Sequence, residues 1–162
     1  MIITEAIVKM MDYFGTDVRR INHALKVYAF ASLIAEKEGQ SGAEMEIIRI
    51  TAILHDIGIP EAEKKYQSCA GKYQEIEGPP IAREMLKDLE VAPETIQRVC
   101  YLIGNHHSYA KIDGPDFQIL VEADFLVNIF EDTMEKKTVK SIRDKYFKTT
   151  TAIRLLNQMY LV

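Results

Sequence analysis

The stretch Ile50–Pro60, ITAILHDIGIP, decides how the chain is read. It starts as an apolar helical run, reaches an adjacent imidazole and carboxylate, His55 and Asp56, and then meets Gly58 and Pro60. A carboxylate at the end of an apolar helix must be paired, hydrogen-bonded or bound to a cation, because burying it alone is prohibitive. The helix C-terminus also carries partial negative charge, so Asp56 is poorly placed for the helix dipole. A nearby cation resolves both problems.

Helical signals dominate on either side. Residues 2–14 show apolar positions at helical spacing and stop before Gly15. Thr16 is the expected N-cap of the next helix, with Asp17 in its first turn. That helix runs to Gly39, a residue suited to the position just past a helix end. Ser41 opens the helix that carries ITAILHDIG, and Gly58 closes it. Residues 59–78 read as less regular, with Gly71 and a turn at EGPP, 77–80. PPIAREMLKDLE (79–90) and PETIQRVCYLIGNHH (93–107) each start on proline, which suits a first helical turn. SYAKIDGP (108–115) reads as a loop with an Asp-Gly turn. Pro115 opens the helix PDFQILVEADFLVNIFED, and two further helices cover about 135–147 and 149–160. Period-two strand patterns are absent, so the expected class is all-α. A length of 162 residues fits one domain, 1–162.

Composition narrows the function. A hydrophobic fraction of 48% with 27% charged residues suits a soluble globular core. The net charge of -4 gives no basic footprint, which argues against a large nucleic-acid interface. Cys69 and Cys100 are far apart and form no CxxC pair, so free thiols in a reducing compartment are expected. The N-terminal MIITEAIVKMMDYFG carries Glu5, Lys9 and Asp12 and does not read as a secretory signal. No run approaches the length of a membrane span. The expectation is a soluble cytoplasmic protein without a membrane partner; a homo-oligomer stays open.

The four histidines, His23, His55, His106 and His107, all lie on apolar helix faces or at helix ends. Asp124 repeats the anomaly of Asp56 inside the apolar ILVEADFLVNIF. Imidazole and carboxylate suit Fe, Mn, Zn, Ni and Co ions, and helices can bring such ligands together at a bundle centre.

His23 in RRINHALKVYAFASLIA, the HD pair in AILHDIG and Asp124 in EADFLVNIF together resemble the HD-domain superfamily of metal-dependent phosphohydrolases. The likeness covers about residues 16–132. It implies a helical bundle of the HD type and a core ligand set of His23, His55, Asp56 and Asp124. NHHSYAKIDGP is similar to the HHxxxxDG segment of the HD-GYP branch, which implies that His106 and His107 serve a second metal with Asp56 as the bridge. That branch has a histidine at the start of the helix after the HD pair. Here Glu77 is the expected substitute, with Glu75 and the weaker ligand Gln74 as alternatives. The GYP tripeptide is absent, which sets cyclic dinucleotides aside.

The resemblance implies a phosphohydrolase that uses one or two divalent ions (Fe, Mn, Ni, Co or Zn, with Mg allowed) on a small phosphorylated molecule, a nucleotide by expectation. Asp56, His106 and His107 carry the expected catalytic roles. Arg20, one turn before His23, and Asn128, one turn after Asp124, are expected to contact the phosphate or substrate. The alternatives are a di-iron HD-type oxygenase and a non-catalytic regulatory HD domain. Lys64, Lys65 and Lys72 read as a solvated charged segment, and Tyr66, Tyr73 and Tyr109 as covers for the core.

Overall fold

The helix that leads into His55 is apolar on opposite sides, and the bundle is assembled around it. In the computed structural model, which describes residues 1–162, this helix is α3, following α1 (Ile2–Phe14) and α2 (Val18–Lys37) and spanning Gly42–Leu54. After it come α4 (Ile59–Tyr66), α5 (Gly71–Asp88), α6 (Pro93–Ile103), α7 (Pro115–Glu131), α8 (Lys136–Tyr146) and α9 (Thr150–Leu156). A short 3-10 turn, Tyr109–Lys111, precedes α7, and a π-helical turn, Asn157–Leu161, follows α9. There are no strands.

Ile48 and Ala52 of α3 pack into one apolar cluster with Val27, Ile34, Leu102, Phe117 and Leu126. Ile50, Ile53 and Leu54 pack into a second with Met10, Phe14, Leu86, Val99 and Ile103. Both faces of α3 are therefore buried, which explains its nearly continuous apolar sequence. Full burial of one such side chain contributes about 1.5–3 kcal/mol. This double anchorage fixes the place where α3 ends, and with it His55 and Asp56. Helices α2 and α7 pack against α3 and against each other.

Three local expectations change. Asp17, not Thr16, caps α2: its side chain accepts from the Arg20 backbone N–H. Helix α3 stops at Leu54, and His55–Gly58 form a tight turn before α4. Gly58 is therefore not a helix terminator. It sits at φ -77°, and a Cβ there would lie 2.6 Å from the Gly78 nitrogen and 2.7 Å from the Gln74 carbonyl oxygen. The glycine lets the His-Asp turn lie directly on α5. Finally, EGPP is not a turn: Pro79 and Pro80 lie inside α5. Proline removes a helical hydrogen bond and is a strong local break signal. Burial of Gly78, Ala82 and Leu86 holds the segment helical regardless.

Candidate metal centre

His23 lies within α2, His55 and Asp56 follow the end of α3, and Asp124 lies within α7. Their ligand atoms converge. The His23 and His55 Nε2 atoms are 3.2 Å apart. Asp124 Oδ1 is 3.2 Å from His23 Nε2 and 3.6 Å from His55 Nε2. Asp56 Oδ2 is 3.5 Å from each of these two nitrogens. Ligands bonded to one ion at about 2.1 Å are separated by about 3.0–3.4 Å, so these spacings fit donors gathered around a common cation.

The other Asp56 oxygen, Oδ1, faces His106 Nε2 at 3.5 Å. Asp56, His106 and His107 form a second group spaced to hold an ion, beside the group His23, His55 and Asp56. His106 Nε2 is buried and has no hydrogen-bond partner. An orphaned buried nitrogen is costly unless something outside the protein engages it, and a divalent cation fits this donor set.

The ring orientations are set from behind. His55 Nδ1 is 2.9 Å from the Ala52 carbonyl and His106 Nδ1 is 2.7 Å from the Ile103 carbonyl. A carbonyl can only accept, so each Nδ1 donates and, in the neutral ring, the lone pair is on Nε2. His107 differs. Gln74 donates its Nε2 to the Cys69 carbonyl, which turns its Oε1 toward His107 Nε2 at 3.0 Å. His107 therefore donates from Nε2, and its lone pair is on Nδ1. Its backbone N–H donates to Glu75. Arg98 holds the loop that follows, with both Asp113 and Asp116 on its guanidinium at 2.7 Å.

The buried imidazoles and carboxylates set one another's charge. Burial disfavours the charged form of His55, but the Asp56 charge and the Asp124 hydrogen bond outweigh it and raise its pKa to about 9. Burial likewise opposes ionisation of Asp56 and Asp124. The nearby imidazoles outweigh it and hold both carboxyls well below the usual range. His107 is pushed down to about 4 by burial and by His106, so it is neutral near pH 7 and suits a ligand better than a proton donor.

His23 and Asp56 of the first ligand group line a cavity of about 360 Å³ with Arg19, Arg20, Asn128 and Glu131 in its wall. A separate cavity of about 400 Å³ near Phe30 and Phe130 is apolar apart from Lys26. Arg20 lies at the ligand cavity as expected, but it is paired with Asp17 at 2.8 Å and Glu63 at 2.6 Å. Asn128 donates to Asp124 Oδ1 at 3.0 Å and so orients that carboxylate. Glu77 is engaged elsewhere: it accepts from Lys65 at 2.6 Å and from the Tyr66 hydroxyl at 3.0 Å, and is in neither ligand group. The position expected of Glu77 beside the second group is taken by Gln74, held there by Cys69. Tyr66 and Tyr73 stack on each other, and Tyr109 packs on Phe125 and Tyr146. Both thiols are free, and no helix is long and apolar enough to cross a membrane.

The sequence pattern does not single out Glu131. Its carboxylate is 2.9 Å from His23 Nδ1 and 2.6 Å from the Lys26 ammonium. The spacing Asp124, Asn128, Glu131 places all three on one face of α7, which is the signal that points to it.

The fold and this cluster define a class of all-α bundle that gathers imidazoles and carboxylates from separate helices around a shared aspartate, in groups spaced to hold a metal ion. The HD domain family model matches residues 20–149, most of the chain, and the chain belongs to the HD-domain family. Among solved structures it is similar to a predicted HD superfamily hydrolase from an uncultured Thermotogales bacterium. That likeness has a TM-score of 0.70 at 22% identity, over 96% of this chain and 83% of the other. A search of curated proteins finds no significant match.

Proposed function

We propose that the chain is a metal-dependent phosphohydrolase that cleaves a phosphoester or phosphoanhydride of a small molecule, with a nucleotide as the favoured substrate. The observation that carries this reading is the convergence of His23, His55, Asp56 and Asp124, with the His23–His55 pair and each His–Asp pair 3.2–3.6 Å apart, and with His23 and Asp56 in the wall of a cavity that also holds two arginines. His23, His55, Asp56 and Asp124 would hold one divalent ion. His106 and His107 would hold a second, with Asp56 between the two. A bound divalent ion supplies Lewis acidity toward a phosphoryl oxygen and acidifies water near neutral pH.

The chain's own residues do the rest. Asn128 fixes the Asp124 carboxylate through its side-chain amide. Arg19 and Arg20 bring positive charge to the cavity, where a guanidinium fork can grip a phosphate. Arg20 reaches a substrate by exchanging Glu63 or Asp17 for the phosphate. Ile59, itself buried, adds an apolar side chain to the cavity wall.

The test is hydrolysis of nucleoside mono-, di- and triphosphates and a generic aryl phosphate, each assayed with Mn, Fe, Co, Ni and Mg. Metal-dependent turnover that disappears in His55→Ala and Asp56→Ala is the expected result. Metal-replete protein inert toward the whole panel overturns the reading.

A further inference from the structure

We infer that Glu131 is a positioning residue that aims His23 at the metal, with Lys26 present to balance its charge. The inference rests on the reading of His23 as a metal ligand.

The argument starts from where each histidine sits on its helix. His55 and His106 both follow the ends of their helices, α3 and α6. The last carbonyls of a helix have no helical partner. Each ring borrows one, three residues back, at Ala52 and Ile103. His23 sits inside α2, where the carbonyls are occupied by the helix itself. The carbonyls of its own helix are therefore not free for its Nδ1, and the acceptor beside it is a side chain from another helix. Glu131, the last residue of α7, supplies it at 2.9 Å. With Nδ1 donating to Glu131, His23 Nε2 keeps its lone pair directed at His55, Asp56 and Asp124.

The placement of Glu131 is otherwise unfavourable. A carboxylate at a helix C-terminus opposes the dipole, and only 12% of this side chain is exposed. Lys26, one turn beyond His23 on α2, offsets that charge at 2.6 Å. Lys26 is therefore a counter-ion, while Glu131 touches the ligand. A plain α2–α7 staple would need both partners equally, and that difference separates the two roles.

The experiment measures Mn²⁺ dissociation constants by calorimetry for the full-length wild type, Glu131→Ala, Glu131→Gln, Lys26→Met and His23→Ala. Helicity and melting are followed in parallel. Partners behind metal-ligating histidines typically contribute 10–100-fold in affinity, so Glu131→Ala is expected to bind about 10–100-fold more weakly. Glu131→Gln keeps an acceptor oxygen at the same reach and is expected to recover part of that loss; it carries the test if the alanine variant does not fold. Lys26→Met is expected to bind at least as tightly as wild type. Wild-type affinity in Glu131→Ala, or an equal loss in Lys26→Met, overturns the inference. Unchanged affinity in His23→Ala overturns instead the ligand reading beneath it.

Discussion

Around Asp56 Oδ2, two imidazoles present Nε2 atoms 3.2 Å apart, with Asp124 closing the group. Around Asp56 Oδ1, only His106 presents an Nε2 in the same manner, at 3.5 Å. The first group comes from three helical segments, and both of its histidines are held from behind by an acceptor. In the second group His106 is held that way, but His107 has its Nε2 committed to Gln74. The difference teaches that the two sides of Asp56 are unequally preorganised. The first needs only to exchange protons for a cation. The second must also reorient or re-pair a ring, or use His107 through Nδ1. Tighter metal binding at the first group is the expected outcome.

The strongest way to break this comparison is to remove the residue the two groups share. Asp56→Asn keeps the shape of the turn but abolishes the bridging charge. It is expected to weaken metal binding by more than the roughly 10–100-fold typical of residues behind the ligands. Turnover should disappear and helicity persist, as read by elemental analysis, activity and circular dichroism. A variant that keeps a full metal complement contradicts the shared role.

Next in size is the contrast between His55→Ala and His107→Ala. The first is expected to empty the tight site. The second is expected to leave one ion bound per chain and to lower only the second equivalent in a calorimetric titration. The reverse order would overturn the ranking of the two groups.

The pH dependence is the third test. His55, raised to about 9, carries a proton at neutral pH that a metal must displace. Ligation requires the neutral imidazole, so affinity rises as pH rises toward about 9 and falls below it. Each proton displaced is worth about tenfold in affinity per pH unit. Calorimetry in buffers of different ionisation heat counts the protons released. Binding that releases none contradicts the charge state assigned to this group.

The smallest effect is expected at the cavity wall. Arg20→Lys removes the guanidinium fork and keeps the charge. It should raise KM modestly and leave kcat near wild type, because Arg20 is already shared with Asp17 and Glu63. A collapse of kcat would instead place Arg20 among the reacting atoms.

The helical class was legible because apolar periodicity is a local signal that tertiary packing reinforces. His23, His55, Asp56 and Asp124 stood out because polar groups inside apolar runs need an explanation that the run itself does not offer. Other features were hidden for physical reasons. The seating of the His-Asp turn on α5 depends on how closely Gly58 approaches that helix, a contact between segments that no local pattern encodes. The helical state of Pro79 and Pro80 depends on burial, which overrides their local signal. Gln74 reads as a poor ligand, and only its bond to Cys69 reveals that it orients His107. Glu131 lay on the same face as Asp124, but its partner is remote in sequence.

The most direct test of the central claim is anomalous diffraction from crystals of the full chain grown with Mn²⁺. The account predicts an ion bonded to the Nε2 atoms of His23 and His55 and to carboxylate oxygens of Asp56 and Asp124. It also predicts any second, weaker peak on the His106 side of Asp56. A fully occupied ion held by His106 and His107 with the first group empty, or ligation of His23 through Nδ1, would contradict it.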